Sequence, residues 1–135
     1  MHLVMRPQRF DVVATTNMFV DILTDEAAGL VGGLGMAPGL CVGPKYVMAQ
    51  ATHGSAPDIA GKHIANPYAM IMSGQMMLSW LGNKCGVPEA VKAAQEIEDA
   101  MTTILNEREI VTPDLGGKAT TEEMGQEICR IIRSR

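Results

Sequence analysis

Residues 52–67 constrain the fold more than any other part of the chain, because they interrupt an otherwise apolar sequence with a long irregular segment. Two glycines and two prolines within the segment exclude a long helix or strand there. An irregular segment of this length in a compact domain is usually a binding element or a disordered linker. It lacks the Ser, Glu and Lys bias of disordered chains, so we predict an ordered binding loop. Its polar side chains include those of His53, Asp58, Lys62, His63 and Asn66.

The chain before this loop predicts a strand, a helix and two short strands. Residues 11–16 have the apolar content of a buried strand, and Asn17 after them is a good helix N-cap. Apolar residues then recur at helical spacing as far as Gly32, where a pair of glycines predicts the end of the helix. Residues 40–43 and 46–51 are short strand candidates on either side of a Gly-Pro turn.

Three helices are predicted after the loop. Asn66 and Pro67 provide a cap and a first helical position for residues 68–81, which are apolar on nearly every side and are predicted to be buried all round. Residues 87–105 carry one apolar stripe and form the second helix. The third helix begins at a capping box in residues 120–123. Its inner stripe is predicted to consist of Met124, Ile128, Ile131 and Ile132.

Composition limits the classes of protein and partner. Strands mixed with helices indicate the α/β class, and 135 residues fit a single domain, residues 1–135, that is long enough to bury a core. Because 47% of residues are hydrophobic, only 4% are aromatic and 11 are Met, we expect an aliphatic, Met-rich core. The formal net charge of −4 offers no attraction to nucleic acid or to an anionic membrane, so we expect neither as a partner. The uncharged stretch 68–83 is too short to span a bilayer comfortably.

The cysteines indicate a reducing compartment. Cys41, Cys85 and Cys129 are odd in number, widely spaced and without a Cys-x-x-Cys motif. We therefore predict reduced, mostly buried thiols in a cytoplasmic protein.

Two carboxylates lie one turn apart on the first long helix. Asp21 and Asp25 are four residues apart, so they share one face, where their repulsion costs about a few tenths of a kcal/mol. A divalent cation would turn that repulsion into attraction, and Mg²⁺ and Mn²⁺ prefer oxygen ligands in octahedral geometry. The alternative is that both side chains simply face water near the positive end of the helix dipole. Spacing alone leaves both interpretations open.

Four motifs, in order, resemble those of the β-decarboxylating dehydrogenases, the family of isocitrate, 3-isopropylmalate and tartrate/D-malate dehydrogenases. The longest is His53-Gly-Ser-Ala-Pro-Asp-Ile-Ala-Gly-Lys-His-Ile-Ala-Asn-Pro67, and the others are residues 17–25, 32–38 and 112–121. The resemblance runs through the whole chain, but it covers only about the last 40% of a family member. It implies part of that family's three-layer α/β/α fold, which is not a Rossmann fold, truncated at the N-terminal side.

The resemblance also implies that the loop binds the adenosine half of NAD. Asp58 could accept both ribose hydroxyls and would repel the 2′-phosphate of NADP, Asn66 could read the adenine edge, and Ile59 could pack on its face. The backbone N–H groups of Gly54 and Ser55 could bind the pyrophosphate. The cofactor-binding set is then His53, Gly54, Ser55, Ala56, Asp58, Ile59, Asn66 and Asp114. Asp114 fits a Thr-Pro-Asp turn equally well, and His63 is interpreted as an ordinary loop histidine.

In the family, the residues that match Asp21 and Asp25 hold Mg²⁺ or Mn²⁺, which polarises the substrate hydroxyl. The family's third aspartate, its catalytic Tyr and Lys and its substrate-binding Arg residues belong to a segment upstream of Met1. No residue here matches them, so we assign no catalytic residue and expect the chain alone to be inactive. Val20 stands where the family usually has Gly, and Gln50 where it has Glu.

The leading hypothesis is the C-terminal part of an NAD- and Mg/Mn-dependent oxidative decarboxylase of a 2-hydroxy acid of the isocitrate, 3-isopropylmalate or tartrate/D-malate type. The alternative is a non-catalytic adenine-nucleotide-binding, structural or regulatory subunit, and a third possibility is a folded remnant without function. We expect a homodimer, or a partner chain that supplies the N-terminal part. The apolar residues that favour self-association are Phe19, Ile22, Leu23, Leu30 and Val31.

Overall fold

A computed structural model describes residues 1–134, which form mostly helices and one small sheet. The α-helices in this part of the chain are α1 (His2–Met5), α2 (Asn17–Val31), α3 (Tyr68–Cys85), α4 (Pro88–Glu107) and α5 (Thr121–Arg133). The strands are β1 (Leu40–Val42) and β2 (Val47–Ala49), which pair antiparallel with Cys41 opposite Met48. Single 3-10 turns lie at Pro7–Arg9, Leu34–Met36, Pro57–Ile59 and Pro113–Leu115.

The core lies between α4 and α5, where their apolar stripes face each other. The inner stripe of α5 is as predicted, and its capping box forms with both of its hydrogen bonds. The stripe of α4 is buried at Ala94, Met101 and Ile104. Val87, at the predicted start of that helix, precedes it and is 42% exposed. The Tyr68 and Ile71 side chains of α3 add a partly buried layer. The buried cluster is Ala100, Met101, Ile104, Val111, Met124, Ile128 and Ile131. This mainly aliphatic, Met-containing core agrees with the composition.

A glycine allows α3 and α4 to approach closely. A Cβ added at Gly82 would lie 2.7 Å from Val91 Cγ2 and 2.9 Å from Val91 N. Such distances are far below ordinary van der Waals contact, so only glycine fits at this crossing. The two helices form the most extensive helix pair in the described chain.

The predicted strand over residues 11–16 is wrong. These residues are irregular and exposed, and the Val12 side chain is 85% exposed. A strand requires a hydrogen-bonded neighbour, and the β1–β2 hairpin is the sole sheet within residues 1–134. The N-cap of α2 is consequently Thr16 rather than Asn17. The predicted end of α2 is confirmed, because Gly32 caps it with a φ of 130°.

Helix α3 is less covered than predicted. It extends to Cys85, four residues beyond the predicted end, and Gly86 caps it in a left-handed conformation. The expectation of burial all round is wrong, because Met70 is 56% exposed and most of its other apolar side chains are only half-buried. The reason is geometric, since α4 covers one side of α3, whereas the small hairpin and the Leu34–Met36 turn cover the rest only in part.

The hairpin is fastened to α3 at two points. Gly39 N donates to Ser73 Oγ at 3.0 Å, ahead of β1. At the turn between the strands, the Lys84 ammonium donates to the Pro44 carbonyl and lies 4.2 Å from the centroid of the Trp80 ring. These contacts hold a two-stranded sheet that would be marginal by itself.

The cysteines are free, as predicted, but exposed rather than mostly buried. Cys41 lies on the outer face of β1, and Cys129 lies outside the inner stripe of α5. Both side chains are therefore exposed because they lie on the faces of β1 and α5 that do not contact the core. Among residues 1–134, no helix has both the length and the apolar character needed to cross a membrane.

Candidate cofactor and metal site

The exposed half of the loop, which we define as residues 53–60, is held mainly by local bonds. A single 3-10 turn, Pro57–Ile59, follows Ala56, whose φ of 44° lies in the left-handed region. Ile59 N donates to Ala56 O at 3.1 Å and Ala60 N to Pro57 O at 3.3 Å. Because these bonds stay within the segment, its outer surface remains available to a ligand.

Most of the predicted cofactor-binding residues lie in this exposed half. Asp58 is exposed on the 3-10 turn, and Ile59 behind it is half-buried. The Nδ1 atom of His53 lies 3.0 Å from the Gly54 carbonyl oxygen, so this ring bonds to neighbouring backbone. Within the described chain, the N–H groups of Gly54 and Ser55 have no protein acceptor. Two exposed donors next to an exposed carboxylate can bind an anionic group on one side and hydroxyl groups on the other.

The loop is anchored where it begins. Thr52 N donates to the Ala37 carbonyl at 3.3 Å, and the Thr52 hydroxyl donates to the same oxygen at 3.0 Å. A close backbone approach lies beside this anchor, because a Cβ at Gly39 would lie 2.6 Å from Gln50 O. Gln50 itself is exposed.

The loop is anchored again at its closing end, residues 63–66. Thr121 N donates to the His63 carbonyl at 2.9 Å, and the Thr121 hydroxyl donates to the Ala65 carbonyl at 2.5 Å. His63 has a φ of 56°, a left-handed conformation that is uncommon outside glycine. Sequence reasoning missed Thr121, because its contacts with the loop lie 56 and 58 positions away along the chain. The available signals were its place within the capping-box segment 120–123 and at the end of the motif 112–121.

The Asn66 side chain joins three segments at this closing end. Its Nδ2 atom donates to Asp114 Oδ2 at 2.9 Å, and its Oδ1 atom accepts from Tyr68 N at 2.9 Å. Met36 Sδ lies 3.5 Å from Nδ2. A Cβ added at Gly35 would lie 3.4 Å from Asn66 Cβ and 3.5 Å from Asp114 Oδ2, so the segment after α2 packs against the pair. The structure therefore brings Asn66 and Asp114 together.

The Thr-Pro-Asp segment does form a turn, Pro113–Leu115, and the same turn presents Asp114 to Asn66. The turn is held by Gly117 N, which donates to Thr112 O at 3.1 Å. A Cβ at Gly117 would overlap the Val111 carbonyl, so glycine is required there. The Thr112 side chain is fully buried, and its Oγ1 atom has no partner within the described chain.

The start of α5 is fixed by its capping box. Thr120 N donates to Glu123 Oε2 at 2.7 Å, and Glu123 N donates to Thr120 Oγ1 at 3.2 Å. The backbone N–H and the hydroxyl of Thr120, both donating to the carboxylate, lower the pKa of Glu123. This cap positions Thr121, the next residue, against the loop.

The predicted metal ligands Asp21 and Asp25 are both exposed on α2. Thr24, between them, donates its hydroxyl to the Val20 carbonyl at 2.8 Å, and Val20 is half-buried. In the described part of the chain, no three His, Cys, Asp or Glu side chains are grouped so that they could hold a metal ion. Two carboxylates provide two of the roughly six oxygen ligands that Mg²⁺ prefers. Their chemistry fits a divalent cation, but only as part of its coordination shell.

The chain is similar to dehydrogenases over nearly its whole length. Residues 1–128 match the family model described as isocitrate/isopropylmalate dehydrogenase. The isocitrate/homoisocitrate dehydrogenase of Thermus thermophilus is 52% identical over 134 residues, which are 99% of this chain and 38% of that protein. A mitochondrial NAD isocitrate dehydrogenase catalytic subunit of Arabidopsis thaliana is 45% identical over 130 residues, 96% of this chain and 33% of that subunit.

A solved structure agrees with these matches. The crystal structure of isocitrate dehydrogenase from Methylococcus capsulatus superposes with a TM-score of 0.86 at 47% identity, covering 98% of this chain and 38% of that one. The chain thus spans little more than a third of the length of the curated relatives that it matches. It belongs to the isocitrate/isopropylmalate dehydrogenase family, of which it represents the C-terminal portion.

Proposed function

We propose that this chain is the cofactor-binding and metal-binding part of an NAD- and Mg/Mn-dependent oxidative decarboxylase of a 2-hydroxy acid. The observation that carries the proposal is the exposed half of the loop, where two unpartnered N–H groups, those of Gly54 and Ser55, precede the exposed carboxylate of Asp58 by four and three residues. Family membership supports it, and the Arabidopsis relative is named for NAD. The substrate class is proposed at the level of the family, as an acid of the isocitrate, 3-isopropylmalate or tartrate/D-malate type.

The adenosine half of NAD is assigned to the exposed half of the loop. Asp58 would accept hydrogen bonds from the ribose hydroxyls, and its charge would disfavour the 2′-phosphate of NADP. The N–H groups of Gly54 and Ser55 would bind the pyrophosphate, and the half-buried Ile59 would pack against the base. His53 and Ala56 shape the same surface. Asn66 and Asp114, the other two residues of the predicted set, bond to each other at the closing end of the loop.

Asp21 and Asp25 would hold the Mg²⁺ or Mn²⁺ ion. Such a metal, when bound, polarises the hydroxyl oxygen of a 2-hydroxy acid. The remaining ligands would come from the substrate, from water and from a second polypeptide. Both aspartates are exposed and one helical turn apart, so they are accessible to a ligand bound from outside the chain.

Activity would require a second polypeptide, which we propose to be another copy of this chain or a partner that carries the missing catalytic groups. The exposed apolar side chains of α2 support such an interface, because Phe19, Ile22 and Leu30 are each more than half exposed. A non-catalytic adenine-nucleotide-binding or structural subunit is the second candidate. Val20 favours it, because this branched side chain stands beside Asp21 where the family usually has Gly.

Calorimetric titration of the chain with NAD, NADP and AMP tests the cofactor assignment. We expect NAD to bind more tightly than NADP, and Asp58→Asn to weaken NAD about tenfold while reducing the difference from NADP, because hydrogen bonds to a charged acceptor are lost. Asp11→Asn, which changes another exposed carboxylate, should leave both affinities unchanged. Absence of binding by NAD and AMP at millimolar concentration would contradict the proposal.

Electron paramagnetic resonance of Mn²⁺ tests the metal assignment. Addition of the chain together with a 2-hydroxy acid should reduce the signal of free Mn²⁺, and Asp21→Asn should restore it. NAD binding without Mn²⁺ binding would favour the non-catalytic candidate.

A further inference from the structure

The two halves of the cofactor loop are held in different ways. The exposed half, residues 53–60, is held mainly by bonds within itself, whereas the closing end, residues 63–66, receives bonds from two distant segments. Those bonds come from Asp114 on one segment and from Thr121 at the start of α5. The orientation of the exposed half therefore depends on where the closing end is fixed.

The hydrogen-bonding capacity of Asn66 is almost fully used inside the protein. An amide has two N–H donors and one carbonyl acceptor. The Nδ2 atom donates to Asp114 and faces Met36 Sδ at 3.5 Å, and Oδ1 accepts from Tyr68 N. The amide orientation is fixed from both sides, because a carboxylate requires the NH₂ group and a backbone N–H requires the oxygen.

This arrangement bears on how Asn66 would meet an adenine. An asparagine reads adenine through a donor and an acceptor used together. Here Asp114 takes one of the two N–H donors and Tyr68 N takes one of the two lone pairs of the oxygen, so the amide has only part of its capacity left for such a pair and cannot turn toward a base without loss of both bonds. The carboxylate acceptor makes the bond to Asp114 stronger than one between neutral groups.

We propose that Asp114 and Thr121 are positioning residues for the adenosine loop, and that the side chain of Asn66 acts as the joint through which Asp114 holds it, rather than as a reader of the base. The inference rests on the proposed function of the loop. Asp114 then influences nucleotide binding through the loop, without accepting a hydrogen bond from the ribose. Thr121 N donates to the carbonyl of His63 and so holds the left-handed turn at that residue.

The experiment combines calorimetry with hydrogen exchange on the full chain. The ligands are NAD and its hypoxanthine analogue, which lacks the amino group of adenine. We expect Asp114→Ala to weaken both ligands about tenfold and by the same factor, because one charge-assisted hydrogen bond is lost. Asp114→Asn should stay within about twofold of the unchanged chain, since an amide oxygen still accepts from Asn66.

Hydrogen exchange separates the positioning role from the proposed function. Without nucleotide, Asp114→Ala should accelerate amide exchange at Ile59, Ala60 and Lys62, whose N–H groups donate within the loop, and Asp11→Ala should not. If the unchanged chain fails to bind NAD, the proposed function is wrong, and accelerated exchange still verifies that Asp114 holds the loop. Unchanged exchange in Asp114→Ala overturns the inference whether or not NAD binds.

Two further outcomes would overturn it. If Asp114→Asn weakens NAD binding as much as Asp114→Ala does, the charge of Asp114 itself contacts the ligand. If Asn66→Ala weakens the binding of NAD more than that of the hypoxanthine analogue, the side chain of Asn66 reads the base. If Asp114→Ala does not fold, Thr121→Val provides the same test, because it removes the hydroxyl bond to Ala65 and leaves the N–H bond to His63.

Discussion

The α3–α5 bundle and the N-terminal segment, residues 1–36, both carry apolar side chains on their helices but differ in burial. Every residue of the buried cluster lies on α4, on α5 or between them. In the N-terminal segment Ala28 is the one residue classed as buried, and the apolar residues Phe19, Ile22 and Leu30 of α2 are mostly exposed. An apolar stripe becomes a core only where a second stripe faces it. The bundle meets this condition within one chain, whereas no facing stripe within residues 1–134 buries the apolar side chains of α2, and its coverage by another molecule stays a prediction.

The largest expected difference between the two regions concerns side-chain truncation. Met124→Ala should lower the free energy of unfolding by about 2–5 kcal/mol, because it leaves a cavity in the α4–α5 core. Ile22→Ala on α2 should change it by less than about 0.5 kcal/mol in the monomer, since that side chain is 58% exposed. Urea denaturation followed by circular dichroism measures both.

Protein concentration sharpens this comparison. If a second copy covers α2, the effect of Ile22→Ala should grow with concentration and that of Met124→Ala should not. If the two variants lose equal amounts of unfolding free energy at the lowest protein concentration, the two regions do not differ in burial as described.

The next largest effect concerns helix capping. Thr120→Ala at the start of α5 should cost about 1 kcal/mol, because its side chain accepts from Glu123 N. Thr16→Ala at the start of α2 is the matched control and should cost less, because Thr16 makes no side-chain capping bond. Thermal unfolding distinguishes the two, and a Thr16→Ala loss equal to that of Thr120→Ala would contradict the prediction.

The same cap predicts a pH dependence. The pKa of Glu123 is lower in the folded state because Thr120 donates to its carboxylate. A lowered pKa gives a contribution that is complete above the ordinary carboxyl pKa and is lost as the pH falls through the lowered value. Glu123→Gln should therefore weaken the acid dependence of stability, whereas Glu122→Gln, which changes an exposed neighbour outside the capping box, should alter it less.

The smallest effect concerns a buried hydroxyl. Thr112→Val should leave stability unchanged or raise it by up to about 1 kcal/mol, because Oγ1 is buried without a partner. On α2, Thr24→Val should change stability by less than about 0.5 kcal/mol in either direction, because Thr24 is exposed and its bond to Val20 O duplicates a backbone acceptor already used within the helix. Destabilisation by Thr112→Val beyond 1 kcal/mol would indicate a bound water at Oγ1, which a crystal structure would reveal.

Elements governed by local chemistry could be predicted from the sequence. The capping box of α5, the glycine end of α2 and the hairpin around Pro44 all depend on residues within a few positions of one another. The strand over residues 11–16 could not be predicted correctly, because a strand depends on a distant neighbour. The prediction that α3 is buried all round was wrong for the same reason, since apolar composition does not say how many elements cover a helix.

The sequence names the residues of the predicted site, and the structure adds the connections between them. The sequence indicates the loop, Asp58 and both aspartates of α2, and it names Asn66 and Asp114 separately. Their mutual bond crosses 48 positions, and no local pattern encodes it. The contacts of Thr121 with the loop could not be predicted for the same reason, because they depend on how α5 packs against the loop.

The contact between Lys84 and the hairpin turn gives the protein an internal optical reporter. Trp80 is the single tryptophan of the chain, and the Lys84 ammonium lies above its ring while it bonds to the turn. Indole emission depends on nearby charge and on access to solvent. The fluorescence of Trp80 should therefore report whether the hairpin remains in contact with α3, independently of changes in the loop of residues 52–67.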